Sequence, residues 1–464
     1  MSERHDSMSG VDTAWLHMDR PANLMQIMGV MTFRRRLSLP ALRERVESQF
    51  LVHRRFRMRP VDGTLGAVWE TVTDFDLRRH VRQRTLPRGG GDRALQRLLG
   101  RLAATPLDAS RPRWEFLLVH VTARRSALVI RIHHCYADGI ALVRVILGLA
   151  DRETPAGSAA TTRVLHADAA DDVGFAGLAP EVLARAWHEA ATLAGQGLHF
   201  ALHPGEAARA ALSGVGIAAE LAQLAMLPDE PRSSLRGTIR GDKAVAWARP
   251  WPLATVRAAA RSLGCTINDL LVTAVSGALA RWMATQGDAA LAPGLALRAA
   301  LPVNLRAAGS EEALGNRFGL VFLDLPVGAG RALERLVLVR QRMHALKASH
   351  QPLMTLGLLA ALGLGPRRLQ DGAIDLLSRK ASLVMSNVPG PREPLPLLGV
   401  PVDTMMFWVP QSGDVGLGVS VLTYDGKVQF GVMADRALVP DPAEIAAGFP
   451  LELRALTRLA RTRS

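Results

Sequence analysis

The spacing of apolar residues predicts short strands that alternate with helices over the first third of the chain. Strand-like apolar runs occur at residues 27–33, 113–121 and 127–133. Residues 39–50 and 93–104 have the spacing of helices that bury one face. This mixture of elements predicts an α+β domain.

Between about residues 170 and 228 the pattern changes to alanine- and leucine-rich helix, which ends at two prolines and two serines. From residue 236 onwards, strand-like runs return at residues 297–303, 320–325, 381–385, 416–424 and 428–433, with helices at 253–263 and 268–285. We therefore expect an N-terminal domain at residues 1–168, a helical connector at 169–235 and a C-terminal domain at 236–464.

Composition indicates a folded protein with an excess of positive charge. The chain has 464 residues, of which 48% are hydrophobic and 21% charged, which excludes general disorder and a coiled coil. The net charge of +14 is compatible with an acidic membrane surface or a phosphorylated cofactor as partner, and also with arginines that only solvate the surface. The basic residues are scattered rather than aligned with aromatic residues, so we do not expect nucleic-acid binding.

Three features predict a cytoplasmic protein. Two cysteines, Cys135 and Cys265, cannot form a disulfide framework, which suits a reducing compartment. The polar N-terminal segment resembles neither a signal peptide nor an anchor. The markedly apolar run at residues 353–365 is shorter than the roughly 20 residues that span a bilayer. Contact with a membrane or a lipid inclusion is therefore expected to be peripheral.

The most informative segment is residues 127–150, where a strand-like run ends in two histidines before a turn and a helix. Adjacent side chains of a strand face opposite ways, so His133 and His134 should not share a metal ion. One histidine can act as a base in a cleft while the other packs inside the domain. Asp138 can brace the turn by pairing or capping, and Gly139 permits close backbone approach. Two buried structural histidines would produce the same pattern.

Cys135 is an alternative nucleophile, because an adjacent histidine can activate a thiol. In a continuing strand, however, Cys135 would share a face with His133 and oppose His134, which disfavours covalent catalysis.

Two other segments have a structural interpretation. Thr266 and Asp269, three residues apart before an apolar run, have the form of a helix capping box. The segment SNVPGP at residues 386–391 has two prolines and a glycine, which predicts a rigid turn.

The string HHCYADG at residues 133–139 fits the HHxxxDG signature of the CoA-dependent acyltransferase superfamily. Further segments resemble the bacterial wax ester synthase/diacylglycerol acyltransferase family in the same order. These are SGVDTAWLHMDRPANLMQIMGVMTF at 9–33, PLDASRPRWEF at 106–116, TINDLL at 266–271, PVNLR at 302–306, GNRFG at 315–319 and SNVPGP at 386–391.

The resemblance implies a two-domain chloramphenicol-acetyltransferase-like fold with mixed sheets, flanking helices and a tunnel between the domains. Within the motif it implies His134 as the general base, with His133, Asp138 and Gly139 as further motif residues. It places Asn268 beside the tunnel, where its amide could stabilise an oxyanion, and makes Asp269 structural. The residues expected to support the tunnel or its motifs are Pro106, Trp114, Asn387 and Pro389.

The function implied is transfer of a fatty acyl group from acyl-CoA, a co-substrate, to diacylglycerol or a long-chain alcohol. No metal and no other cofactor is expected. Two alternatives stay open: another HHxxxDG acyltransferase with a different acceptor or a carrier-bound donor, and a catalytically silent lipid-binding protein of the same fold. The intact His134, Asp138 and Gly139 argue against the silent alternative.

Overall fold

The computed structural model describes residues 5–63, 66–151, 227–288, 292–304, 316, 318–347, 355 and 367–462. Most of the predicted helical connector and nearly all of the apolar run at 353–365 lie outside the described residues. Residues 227–235, the described end of the predicted connector, form neither helix nor strand. The domain boundaries stay predictions.

The first part of the chain forms two sheets with helices around them. Its helices are α1 (Gly10–His17), α2 (Leu39–Arg45), α3 (Leu77–His80), α4 (Gly91–Ala103) and α5 (Gly139–Leu147). Its strands are β1 (His5–Ser7), β2 (Gln26–Phe33), β3 (Met58–Gly63), β4 (Gly66–Thr71), β5 (Val81–Thr85), β6 (Trp114–His120) and β7 (Ser126–His133). Strands β1, β4 and β3 form a small sheet of three strands.

The remaining described elements build a second layered unit. Its helices are α6 (Leu253–Ser262), α7 (Ile267–Thr285), α8 (Ala332–Lys347), α9 (Arg367–Arg379) and α10 (Ala443–Arg461). Its strands are β8 (Lys243–Trp247), β9 (Trp251–Pro252), β10 (Leu297–Asn304), β11 (Phe318–Leu325), β12 (Leu383–Pro389), β13 (Pro396–Leu397), β14 (Val400–Trp408), β15 (Leu417–Tyr424) and β16 (Lys427–Asp435). The mixed sheet here has the order β11-β10-β12-β15-β16-β8, and β9 pairs with β16.

Strand β14 joins the two halves of the molecule. It leaves the C-terminal half and pairs antiparallel with β2, so the N-terminal sheet has the order β13-β14-β2-β7-β6-β5. Met405 and Phe407 pack into the core on one face of this sheet, and Met406 and Trp408 pack on the other. Both faces of β14 are therefore buried, which holds the C-terminal half against the N-terminal one.

A second contact between the halves requires glycine. Helix α4 packs on β8, and a Cβ atom added at Gly100 would lie 2.4 Å from the backbone oxygen of Lys243. Real Cβ atoms do not approach a carbonyl oxygen so closely, so a larger residue would separate the helix from the strand.

Helix α7 runs through the core of the C-terminal half. It is apolar on most sides and packs between α10, α8 and the sheet, as expected of a fully buried helix. Its N-terminus confirms the predicted capping box: the Thr266 side chain accepts from the backbone of Asp269, and the Asp269 side chain accepts from the backbone of Thr266.

The prediction of a rigid turn at residues 386–391 is wrong for its first half. Ser386 to Pro389 form the end of β12 and pair with β15. Pro389 is tolerated because it is the last residue of the strand. The chain turns only at Gly390, whose added Cβ would lie 2.3 Å from the carbonyl oxygen of Thr423, so this position needs glycine.

Among the described residues, no single helix has the length and apolar composition to cross a bilayer. Helices α6 and α7 have the required length and apolar composition only when they are taken together, and the two helices meet at an angle of 102°.

Candidate functional site

The site begins where strand β7 ends. His133 is the last strand residue, and His134–Tyr136 form a single 3₁₀ turn. The turn forms because the Nδ1 atom of His133 accepts the backbone N–H of Cys135 at 3.2 Å. The backbone N–H of His134 donates to the carbonyl oxygen of Met25 at 2.7 Å, which ties the turn to β2. The strand expected to continue through Cys135 therefore stops at His133.

His134 faces a cavity between the two halves of the molecule. The N-terminal half contributes Trp15, His134, Asp138 and Gly139 to its lining. The C-terminal half contributes Ala300, Pro302, Leu320, Val384, Ser386, Asn387, Val388, Val409, Pro410 and Ser412. The mainly apolar lining with a few polar groups is typical of a site for an apolar ligand.

The His134 imidazole is almost completely buried, with 3% of the residue exposed. It stacks on the Trp15 indole, with ring centroids 4.1 Å apart, and its Nδ1 lies 2.9 Å from the Oδ1 of Asn316. Burial disfavours the charged ring and lowers the pKa of His134 to about 4, against the opposing field of the Asp138 carboxylate. The ring is therefore neutral at neutral pH.

Asn316 is a site residue that the sequence analysis missed. It lies just before β11 in the C-terminal half, within the segment GNRFG. Its amide Nδ2 donates to the Asp12 Oδ1 at 2.8 Å and to the carbonyl oxygen of His134 at 3.0 Å. Nothing in the local pattern distinguishes this asparagine from a loop residue, and the family segment around it was the one signal available.

His133 lies outside the cavity lining and contacts Asp19. Its Nε2 is 3.3 Å from the Asp19 Oδ2, and burial lowers the pKa of the His133 ring. Burial alone would raise the pKa of Asp19, but the hydrogen bond and charge of His133 hold that pKa below its ordinary value. The two histidines therefore occupy different environments.

Asp138 and Gly139 both line the cavity. The Asp138 side chain accepts the backbone N–H of Ala141 at 2.9 Å and so caps α5. A Cβ added at Gly139 would meet one described atom within 4 Å, the Val409 Cγ1 at 3.9 Å. A side chain at this position would therefore enter the cavity, and the close approach of a ligand to the Gly139 backbone stays a prediction.

Cys135 is completely buried and lies outside the cavity lining. Burial, together with the nearby Asp12 carboxylate, raises the pKa of its thiol well above the ordinary value. The thiol is therefore protonated at neutral pH, which argues against Cys135 as a nucleophile more directly than strand alternation does.

Asn268 is not part of the cavity lining, but Asn387 is. The Asn387 Nδ2 donates to the Asn268 Oδ1 at 2.7 Å, so the second residue of α7 holds the end of β12. The Asn268 Nδ2 and the Asn387 Oδ1 are buried and have no hydrogen-bond partner among the described residues. An amide pair with unused hydrogen-bonding capacity therefore lies at the cavity wall.

The other residues expected to support the tunnel lie outside the cavity lining. Pro106 is exposed beyond the end of α4. Trp114 is buried, donates its Nε1 hydrogen to the carbonyl oxygen of Phe56 at 2.8 Å and stacks on His80. Pro389 is half-buried at the end of β12. Within the described part of the chain, no cluster of three or more His, Cys, Asp and Glu residues could hold a metal ion.

Family models match most of the chain. The model described as "Wax ester synthase/diacylglycerol acyltransferase catalytic domain" matches residues 8–271, and the "WS/DGAT C-terminal domain" matches residues 314–457. The chain is 30% identical over 438 residues to "Probable diacyglycerol O-acyltransferase tgs1" of Mycobacterium tuberculosis. That alignment covers 92% of this chain and 88% of the relative.

Solved structures share the fold at lower sequence identity. The "Wax ester synthase/diacylglycerol acyltransferase from Marinobacter aquaeolei VT8" superposes with a TM-score of 0.68 at 20% identity, covering 98% of this chain and 100% of that one. The first condensation domain of the calcium-dependent antibiotic synthetase gives a TM-score of 0.59 at 17% identity, covering 99% and 96%. These likenesses confirm the predicted α+β fold of two domains with mixed sheets.

Proposed function

The chain belongs to the wax ester synthase/diacylglycerol acyltransferase family and is an acyltransferase, and we propose that it moves a fatty acyl group from acyl-CoA to diacylglycerol or a long-chain alcohol. The observation that supports this most directly is a neutral, buried His134 at the wall of an apolar cavity. The cavity lining contains no lysine or arginine among the described residues. It suits the hydrocarbon chains of the two substrates, whereas the CoA phosphates would stay outside.

In the proposed reaction His134 is the general base. The neutral ring takes the proton of the acceptor hydroxyl as its oxygen attacks the thioester carbonyl. The C–S bond then breaks, and the proton passes from the imidazolium to the departing CoA thiolate. Asp138 stabilises the imidazolium, because its negative charge favours the protonated ring. The ester and free CoA are the products, and no acyl-enzyme forms.

Negative charge develops on the thioester oxygen during attack, and Asn387 is the residue proposed to stabilise it. Asn387 lines the cavity, whereas Asn268 lies behind it and holds its amide. If both side-chain amides are reversed, the Asn268 NH₂ group donates to the Asn387 Oδ1. The NH₂ group of Asn387 then points away from Asn268. The predicted oxyanion role of Asn268 is thereby proposed instead for Asn387, with Asn268 as its positioning residue.

Peripheral binding to an acidic lipid surface is also proposed. A basic cluster lies just after β2 and just before β7, because the antiparallel pairing of these strands places Phe33 beside Ser126. This basic cluster consists of four exposed arginines, Arg34, Arg35, Arg36 and Arg124, and the half-buried Arg125. Two of its members have acidic partners: Arg34 pairs with Asp403 at 2.9 Å, and Arg125 pairs with Asp92 at 3.0 Å. A net positive charge remains for anionic headgroups.

We predict that His134→Ala lowers kcat by roughly 10²–10⁴, because a general base contributes a factor of that order. The assay mixes palmitoyl-CoA with hexadecanol or a diacylglycerol, and follows thiol release together with ester formation. Wild-type protein should release one thiol for each ester formed. A protein that binds the substrates but releases no thiol would be the silent lipid-binding alternative.

His133→Ala is the matched control for this substitution. It removes the ring that contacts the Asp19 carboxylate and accepts the Cys135 N–H. The substitution should therefore reduce the free energy of unfolding by about 1–3 kcal/mol. The folded fraction should keep its kcat within a few-fold. A folded His134→Ala protein with wild-type kcat would contradict the mechanism.

The oxyanion proposal predicts that Asn387→Leu lowers kcat by roughly 10²–10³ with little change in the KM for acyl-CoA. Asn268→Leu should cost about tenfold, because the Asn387 amide is then present but less firmly held. Thermal unfolding measures whether each variant is folded. A larger loss in kcat for Asn268→Leu than for Asn387→Leu would identify Asn268 itself as the donor.

The membrane proposal predicts that the protein floats with phosphatidylglycerol vesicles at low salt and is released at high salt. Replacing Arg35, Arg36 and Arg124 by glutamine should weaken binding by roughly 10²-fold, at about 1 kcal/mol for each charge. The matched control replaces three exposed arginines elsewhere, Arg261, Arg331 and Arg340, and should weaken binding far less. Equal losses in the two variants would reject a localised surface.

A further inference from the structure

We propose that Asp12 and Asn316 are positioning residues that keep the proton of the neutral His134 ring on Nδ1, which makes Nε2 the nitrogen that acts as the base. The inference rests on the proposed function, because it names the atom through which His134 would act. It starts from the hydrogen bonds of the Asn316 side chain, which connect α1 in the N-terminal half with the segment before β11.

The orientation of the Asn316 amide follows from its neighbours. Its Nδ2 lies 3.0 Å from the carbonyl oxygen of His134, which can only accept a hydrogen bond. The same Nδ2 lies 2.8 Å from the Asp12 Oδ1, which also accepts the backbone N–H of Asn316 at 3.2 Å. The NH₂ group must therefore face these two oxygens, and the amide oxygen must face the imidazole.

The orientation of the amide then determines the tautomer of the ring, together with a hydrogen bond from the ring to the backbone of His134 itself. The Asn316 Oδ1 lies 2.9 Å from the His134 Nδ1 and is an acceptor, so Nδ1 must carry the hydrogen. A neutral imidazole has one N–H group, and Nε2 is therefore the nitrogen with the lone pair. If the amide were reversed, its NH₂ group would face Nδ1 and the proton would move to Nε2, which could then no longer accept one.

Asp12 is built into the fold as the orienting group. It lies in the first turn of α1, is 2% exposed, and its Oδ2 lies 3.7 Å from the Arg55 guanidinium. Trp15, one turn later on the same helix, stacks on the ring. Helix α1 thus supports both the plane of the imidazole and, through Asn316, the position of its proton.

Three other charged or titratable groups surround this arrangement and affect its pH dependence. Asp138 stabilises the charged form of the His134 ring, and His133 destabilises it. Arg55 stabilises the charged form of Asp12, while burial opposes that charge. All three lie in the N-terminal half, whereas Asn316 comes from the C-terminal half. The tautomer therefore depends on closure of the two halves around the ring.

The direct test is the ¹⁵N–¹H spectrum of histidine side chains in the full-length protein labelled with ¹⁵N-histidine. A His134→Ala protein assigns the His134 signals by their disappearance. We expect the wild-type ring at pH 7 to be neutral with its hydrogen on Nδ1. A ring with its hydrogen on Nε2 would overturn the inference, whatever the variants do.

The variant for this test is Asn316→Leu, which keeps the approximate shape of the side chain and removes the amide acceptor, leaving the ring with its hydrogen bond to the His134 backbone. We expect its His134 ring to populate both tautomers and its kcat to fall roughly 10- to 100-fold, with the KM for acyl-CoA within about threefold. An unchanged tautomer with kcat within about twofold of wild type would also overturn the inference.

Gln370→Leu is the matched control, because the Gln370 Oε1 lies 3.0 Å from the Nδ1 of a different histidine, His17. His17 does not line the cavity, so kcat should stay within about twofold. Asp12→Asn keeps an acceptor for the Asn316 amide and should retain most of the activity that Asp12→Ala loses. Equal losses of activity in Asp12→Asn and Asp12→Ala would show that Asp12 does not orient the Asn316 amide.

The experiment separates this inference from the proposed function. A fully active His134→Ala protein would remove His134 as the base, even if the spectrum shows hydrogen on Nδ1. If the His134→Ala protein is inactive but the wild-type spectrum shows hydrogen on Nε2, His134 remains a required residue and the proposed role of Asn316 is rejected.

Discussion

Burial of one imidazole between two sheets is the constraint on which the site depends. Transfer of the His134 ring from water into an apolar environment disfavours its charged form, so the ring stays neutral where a solvent-exposed histidine would be partly protonated. A neutral buried ring has one N–H group that needs a hydrogen-bond acceptor and one nitrogen that can accept a hydrogen bond. Asn316 provides the acceptor, and Trp15 fixes the plane of the ring.

The rest of the fold supplies this environment from both halves of the chain. Strand β14 completes the N-terminal sheet with residues from the C-terminal half, and α4 meets β8 at a contact that only glycine allows. From one half, Asn316 reaches the His134 ring and Asn387 reaches the cavity, and His134 and Asp138 reach the cavity from the other half. Neither half alone contains the complete site, so the site residues come together only where the two halves pack against each other.

Local pattern predicts most elements of this fold, because strands β2, β6 and β7 and the capped helix α7 carry their own periodicity or end signals. It does not predict β14, whose pairing with β2 joins residues about 370 positions apart. The turn expected at residues 386–389 is a strand because pairing with β15 outweighs the local preference of proline and asparagine. His134 and Asp138 carry a recognisable motif, whereas Asp12 and Asn316 acquire their roles only through contacts distant in sequence.

The central claim is that a buried, neutral His134 accepts the proton, and the pH dependence of kcat/KM tests it most directly. The base must be unprotonated to act, so activity is full above the pKa of the free enzyme and is lost as the pH falls through it. Brief assays at each pH, followed by return to neutral pH to measure recovered activity, separate titration from unfolding. We predict half-maximal kcat/KM at a pH of about 4. Half-maximal activity at the ordinary histidine value of 6.5 would contradict a base held neutral by burial.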